Sequence, residues 1–314
     1  MIRLGLAGVG IHGGRYARHL LAGDVPGAAL GAISRSNARE GSLFALQNNL
    51  TYAADPAELA ILPGIDAVIA CLPPDLHARV AIACLEAGRP VLVEKPLAAT
   101  VEDAERVLAA ASRTRTPIMV AHTLRFDPLV VAIKREAASL GSIRMVSISQ
   151  RFEPTTRGWI DTPGRGGAVL NTGVHAFDLL RFLTGASIDS MHALGGSAVT
   201  RRTEDQFVAA MRLMPGDILA TVDNARTTQG RTGRIEIACE RGQVHGDHVH
   251  RELVRIEGRE RISLGPVPSV PTVPAAMRAF VACLSSGAAP PVTAEDGAAA
   301  VRACARALAM ILRR

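Results

Sequence analysis

The sequence predicts an α/β protein in two parts: a doubly wound parallel sheet at the N-terminus, then an α+β domain with a large, mostly antiparallel sheet. Three observations carry that expectation. The chain opens with a short apolar strand from Ile2 that runs into Gly8-Val9-Gly10-Ile11-His12-Gly13 and then into a helix-forming run, Tyr16 to Leu21. Up to residue 121, apolar strands alternate with helical stretches, the rhythm of parallel strands joined by crossover helices. Beyond it, long alternating segments follow one another with few helices between them, as in antiparallel pairing. A chain of 314 residues exceeds what one core usually organises, and 48% hydrophobic content is ample for two. The expected domains are 1–121 and 122–314.

Taken in order, the first strand and glycine turn lead to a second strand, Ala28 to Ser34, and a helix from Asn37 to Leu46. Ile65 to Cys71 is an apolar run with β-branched residues, suited to a strand buried on both faces. Leu72-Pro73-Pro74 ends it, Asp75 is placed to cap a helix Leu76 to Ala87, and Gly88 stops that helix. Pro90 to Glu94 is the next strand, ended by Lys95-Pro96. Thr100-x-x-Asp103 reads as a capping box for a helix Val101 to Ser112, and Pro117 to Ala121 as the last strand of this half.

In the second half a helix follows Asp127-Pro128. Strands are expected at Ile143 to Phe152, Ala193 to Val199, Gln206 to Leu213, Ile218 to Asn224, Arg234 to Cys239 and Glu252 to Ile256. A Gly-rich loop, Arg157 to Gly167, leads into a helix Asn171 to Leu183, and two more helices close the chain, Val273 to Leu284 and Ala294 to Leu312.

Composition narrows the function. Five scattered cysteines with no C-x-x-C fit reduced thiols rather than a disulfide frame or zinc site, and no apolar run is long enough to span a membrane. No signal sequence opens the chain, so a cytoplasmic protein is expected. The net charge of +6 comes from dispersed arginines, and 3% aromatic content gives no stacking platform, so neither nucleic acid nor membrane is an expected partner. Lysine occurs only at Lys95 and Lys134, and an ammonium retained in an arginine-rich chain is a candidate for a site needing a movable pKa.

The glycine turn is the first functional motif. In Gly8-x-Gly10-x-x-Gly13 the first glycine permits the tight turn, the second lets the main chain approach a pyrophosphate, and the third lets helix and strand pack closely. Free N–H groups and the dipole at the helix N-terminus complete a phosphate site. At the end of the second strand, where an acid would grip the ribose 2′-hydroxyl of NAD, stands Ser34-Arg35. A guanidinium suits a 2′-phosphate, so NADP is favoured over NAD, unless Arg35 merely opens the next helix. His245-Gly246-Asp247-His248-Val249-His250 looks metal-like, but Gly-Asp among alternating residues reads as a hairpin turn, and no metal is expected.

The glycine turn, Pro73-Pro74-Asp75-Leu76-His77, Glu94-Lys95-Pro96, Arg125-Phe126-Asp127-Pro128 and the run Gly166 to Asp178 occur in the order seen in the Gfo/Idh/MocA oxidoreductases, which the chain resembles over nearly its whole length. The resemblance implies a Rossmann domain, a C-terminal domain with an open-faced sheet often used in oligomers, hence a homodimer or homotetramer, and NAD(P)-dependent chemistry on sugars, sugar derivatives or cyclitols. It also implies that the Lys of Glu-Lys-Pro and a downstream His catalyse, which here are Lys95 and His175. Asn171 stands where the commonest form has Asp.

The chemistry of these residues agrees. Hydride transfer from a carbinol needs the hydroxyl proton moved and the developing alkoxide stabilised, tasks for a histidine and an ammonium. Asn171, His175 and Asp178 fall at i, i+4 and i+7, one helical face that can line a cleft. The expected catalytic residues are Lys95, His175 and Asn171. Expected cofactor contacts are Gly8, Gly10, Ile11, His12, Gly13, Ser34, Arg35, Leu72, Pro73, His77, Glu94 and Lys95, although His77 also suits a packing or capping role. Expected substrate contacts are Lys95, His122, Arg125, Trp159, Asn171 and His175, with Arg125 also suited to an ion pair. Two other readings of the same sequence are a non-catalytic dinucleotide-sensing regulator and a glycosidase that retains its NAD.

Overall fold

The computed structural model describes residues 1–154 and 158–312, Trp159 by its backbone alone. The chain divides into two compact units, Met1–Thr123 with Pro271–Val301, and Leu124–Val270 with Arg302–Arg314.

The first unit is built on strands β1 (Ile2–Ala7), β2 (Ala28–Ser34), β3 (Thr51–Ala53), β4 (Ala67–Ala70), β5 (Val91–Glu94) and β6 (Ile118–Ala121). They form a parallel sheet of order β3-β2-β1-β4-β5-β6, the doubly wound arrangement whose ligands lie beyond the carboxyl ends of the strands. Every residue of β4, β5 and β6 is buried, which is why these strands read as unbroken apolar runs. Helices α1 (Gly13–Leu21), α2 (Ala38–Gln47), α3 (Pro74–Glu86) and α4 (Val101–Thr114) are the crossovers. Thr100 caps α4 by accepting from the Asp103 N–H at 3.1 Å. Helix α3 starts two residues earlier than expected: Pro74 occupies its first position and Asp75 lies inside the first turn instead of capping it.

The second unit begins with α5 (Pro128–Ser139), capped by Asp127, whose Oδ1 accepts from the Leu129 N–H at 2.8 Å. Its strands are β7 (Ile143–Arg151), β8 (Ser187–Gly196), β9 (Gln206–Met214), β10 (Ile218–Ala225), β11 (Thr232–Cys239), β12 (Gly242–Asp247), β13 (Glu252–Glu257) and β14 (Glu260–Ser263). The sheet order is β14-β13-β12-β11-β7-β10-β9-β8, antiparallel throughout except for the central β7–β10 pair. Inward residues alternate with outward ones: Val146 and Ile148 of β7, Ala220 and Val222 of β10, and Ile235 and Ile237 of β11 are buried. Helix α6 (Val174–Thr184) packs against β7 and β10, and α5 lies close enough to β12 that a side chain at Gly246 would strike Ile133. The expected turn at Gly246-Asp247 is the end of β12 instead; the chain reverses just after it, through Arg251 in a left-handed conformation.

Helix α7 (Thr272–Ser286) returns to the first unit, where it contacts α1 and β6, and Arg278 donates to the carbonyl of Asp24 at 2.9 Å. The last helix, α8 (Ala294–Ile311), opens with a capping box in which Thr293 and Asp296 exchange hydrogen bonds of 3.0–3.1 Å.

Candidate active site

In the first unit the glycine turn has the geometry its motif demands. Gly8 has φ +95°, and a Cβ there would lie 2.2 Å from the carbonyl oxygen of Cys71. A Cβ on Gly13 would lie 1.8 Å from the Gly8 carbonyl oxygen, so both glycines are required by the packing of β1 against α1 and the β4 end. At Gly10, by contrast, a Cβ would meet nothing within 4 Å. That open space, the exposed Ile11 beside it, and a first turn of α1 without acidic residues fit a pyrophosphate resting on the helix N-terminus.

Glu94, the last residue of β5, ties this turn to Lys95. Its Oε1 takes hydrogen bonds from His12 Nε2 at 2.7 Å and from the buried Tyr16 hydroxyl at 2.6 Å, and its Oε2 accepts from the Lys95 backbone N–H at 2.9 Å. Burial alone would raise its pKa; the His12 hydrogen bond and charge, Lys95 and Tyr16 outweigh that and hold the carboxyl at about 2. Burial and this carboxylate push the neighbouring Cys71 thiol far up, which leaves it protonated and unreactive.

At the end of β2, Ser34 is buried and its carbonyl accepts from the N–H groups of Gly8 and Val9 at 3.0 and 3.1 Å. The Arg35 carbonyl accepts from the Tyr52 hydroxyl at 3.0 Å, while its guanidinium pairs with Glu40. Glu40 is itself held by Asn37 through a reciprocal capping box, Asn37 Nδ2 to Oε1 at 2.9 Å and Glu40 N–H to Asn37 Oδ1 at 3.1 Å. The sequence reading missed Glu40, although Asn37-x-x-Glu40 is the signature of such a box.

Leu72 and Pro73 follow β4, as expected for a carboxyl-end loop. His77 is buried, its Nδ1 2.6 Å from the Pro96 carbonyl oxygen and its Nε2 2.8 Å from that of Leu72. A neutral imidazole carries one N–H, so it donates to one of these two carbonyls at a time. The ring lies between the Leu72-Pro73 loop and Lys95-Pro96, as its expected packing role requires. Burial drives its pKa down, partly opposed by the Pro96 carbonyl and Glu94. His122 is buried immediately after β6.

In the second unit, Arg125 forms an ion pair, the other of its two expected roles. Its Nη2 and Nε donate to Asp178 Oδ1 at 2.6 Å and Oδ2 at 2.9 Å, with both side chains buried. The guanidinium also lies 5.3 Å from the Phe182 ring centroid, which Lys134 approaches at 4.0 Å. Asp178 therefore anchors α6 to the turn before α5. Lys134, the other lysine of the chain, has its pKa lowered by partial burial and by Arg125.

Asn171 does not lie on the same regular helix as His175: it sits in a π-helical turn, Val169–Gly173, that precedes α6. The turn is fixed by Glu204, whose Oε1 accepts from the Val169 N–H at 2.9 Å, and such turns concentrate at functional sites. Asn171 Oδ1 accepts from Arg226 Nη1 at 3.2 Å, and Arg226, just past β10, lies 5.5 Å from the Phe152 ring centroid. Sequence reasoning did not find Arg226, since an arginine after a strand carries no signal of its own. His175 is half-buried in the first turn of α6. The expected stacking of Trp159 falls on a side chain outside those described.

The Rossmann-fold model of the Gfo/Idh/MocA oxidoreductases, described as an NAD-binding domain, matches residues 2–122, and the model of that family's C-terminal domain matches residues 134–245. The chain belongs to the Gfo/Idh/MocA oxidoreductase family. It is an NAD(P)-dependent oxidoreductase acting on CH–OH groups. This family member is 31% identical over 268 residues to inositol 2-dehydrogenase 1 of Saccharopolyspora erythraea, covering 84% of this chain and 74% of that protein. It is 28% identical to 1,5-anhydro-D-fructose reductase of Ensifer adhaerens, with 86% and 85% of the two chains covered. An oxidoreductase from Agrobacterium radiobacter, solved in complex with NAD⁺, L-tartaric acid and magnesium, shares its fold with a TM-score of 0.89 at 18% identity, over 99% and 96% of the chains.

Proposed function

We propose that this oxidoreductase moves a hydride between a nicotinamide cofactor, NADP in preference to NAD, and a carbinol or carbonyl of a sugar, sugar derivative or cyclitol. Residues 1–121 bind the dinucleotide and 122–314 the substrate. The observation that carries this reading is Glu94, one carboxylate that bonds both to His12 of the glycine turn and to the backbone of Lys95. It fixes the lysine at a strand end beside the dinucleotide turn, where ligands of doubly wound sheets lie.

A nicotinamide cofactor held by the glycine turn would supply the hydride acceptor or donor. Lys95 donates a hydrogen bond to the reacting oxygen and stabilises the alkoxide. His175 takes the hydroxyl proton or returns it. Asn171, held by Arg226, orients that imidazole as a neutral partner. The names of the relatives, inositol dehydrogenases and an anhydrofructose reductase, support a neutral polyhydroxylated ring as substrate. We further propose a homodimer or homotetramer formed through the outer sheet face of the second unit, where Met145, Leu194, Val208 and Leu219 are exposed together.

Turnover of a panel of cyclitols and pyranoses with each cofactor tests the reading. Net NAD(P)H formation with a free polyol is expected. Product without net reduction would identify the glycosidase instead, and cofactor binding without turnover on any polyol would identify the regulator.

A further inference from the structure

One transverse row on the inner face of the second unit's sheet departs from the apolar pattern around it. Gln150 occupies an inward position of β7, after Val146 and Ile148, and Asn224 an inward position of β10, after Ala220 and Val222. The two are direct partners across the parallel pair, and each is 1% exposed. Gln150 is in turn opposite Gly233 of β11. The imidazole of His248 lies over that glycine, since a Cβ there would fall 2.2 Å from His248 Nε2. Gln150 Oε1, both amide atoms of Asn224 and His248 Nε2 are buried and have no hydrogen-bond partner.

Leaving four such atoms unmet in adjoining positions is costly, and native proteins rarely do so unless a ligand or water meets them. The row ends beside a functional turn: Arg226, two residues beyond Asn224, holds Asn171, and β10 packs on the π-helical turn. Its chemistry is neutral and two-sided. Gln150 Oε1 and Asn224 Oδ1 accept, and Asn224 Nδ2 donates. A hydroxyl, which donates and accepts at once, satisfies such a row, whereas a carboxylate or phosphate, which only accepts, does not.

We propose that Gln150 and Asn224 form a specificity subsite that binds adjacent ring hydroxyls of the polyol, away from the reacting carbon, with His248 at its margin. This rests on the reading of the protein as a polyol oxidoreductase. The test uses two near-isosteric variants, Gln150→Met and Asn224→Leu, and three measurements: melting temperature without ligand, NADP affinity, and KM and kcat for myo-inositol and its monodeoxy analogues. Removing unmet polar groups is expected to leave the melting temperature unchanged or higher. The KM for myo-inositol is expected to rise about tenfold, the factor for one well-made hydrogen bond, with NADP affinity unchanged. One monodeoxy analogue should be handicapped in the native enzyme and no further handicapped in Asn224→Leu, the non-additivity that marks a direct pair.

A lower melting temperature would show that the amides are bonded within the protein and would overturn the proposal. Unchanged KM in well-folded variants would assign the row to buried water and remove the subsite alone. Absence of turnover on every polyol by the native enzyme would remove the functional reading and the subsite with it.

Discussion

Arg35 is the residue on which the proposed preference for NADP rests. Its carbonyl accepts from the Tyr52 hydroxyl and its guanidinium pairs with Glu40 in the first turn of α2. Both partners are partly exposed, and an exposed ion pair of this kind is worth roughly 0–1 kcal/mol, less than a guanidinium gains on a phosphate dianion. Arg35→Ala should therefore weaken NADP more than NAD by about 1.5–3 kcal/mol. Glu40→Gln, which keeps the capping amide but removes the competing charge, should strengthen NADP and leave NAD nearly unchanged. Fluorescence titration with both cofactors reads the two effects; equal losses in Arg35→Ala would show that the residue does not meet the 2′-phosphate. Arg35 draws notice in the sequence because it stands where an acid is expected, at a fixed distance from the glycines. Glu40 does not, because its relevance comes from where α2 places it. Gln150 and Asn224 were equally silent, since a buried amide in an alternating strand reads as an imperfect repeat.

Among the elements, the first unit was the more legible. Strands β4 to β6 are buried on both faces and α2 and α4 begin with side-chain caps, so composition and punctuation marked most segments but not the three-residue β3. In the second unit β12 was hidden because Gly242-Gln-Val-His-Gly-Asp places only Val244 as a large inward apolar residue. The π-helical turn was hidden for another reason: Asn171 and His175 have the spacing of a regular helix, and it is the Glu204 carboxylate bonded to Val169 that marks the departure.

The joint between β5 and α1 also gives an acid-stability prediction. Glu94 has a folded-state pKa near 2, below the usual carboxylate value of about 4.3. A depressed carboxylate contributes stability that is fully present above its unfolded pKa and is lost as pH falls through the folded one. The urea midpoint of the native protein should therefore drop between pH 4.5 and 2, and Glu94→Gln should flatten that drop. Identical acid slopes in the two proteins would mean that the carboxylate is not stabilised by His12 and Tyr16.

At the scale of the whole molecule, the parallel sheet followed by a mostly antiparallel one was readable from rhythm alone. The grouping of Pro271–Val301 with the first unit was not, because a helix's own periodicity shows that it has a buried face but not what buries it. The proposed function draws on residues of both units. The dinucleotide turn and Lys95 belong to the first, Asn171, His175 and the amide row to the second, and the proposed chemistry requires all of them to act on one substrate. The central claim is that Lys95 acts on the reacting oxygen rather than on the dinucleotide. Its most direct measurement is the single-turnover rate of hydride transfer in Lys95→Met, taken with the NADP affinity of the same variant. The rate is predicted to fall by roughly 10²–10³-fold while NADP affinity stays nearly native, as when a donor to a developing oxyanion is removed. A near-normal rate on a substrate that the native enzyme turns over, or a loss confined to NADP binding, would contradict it.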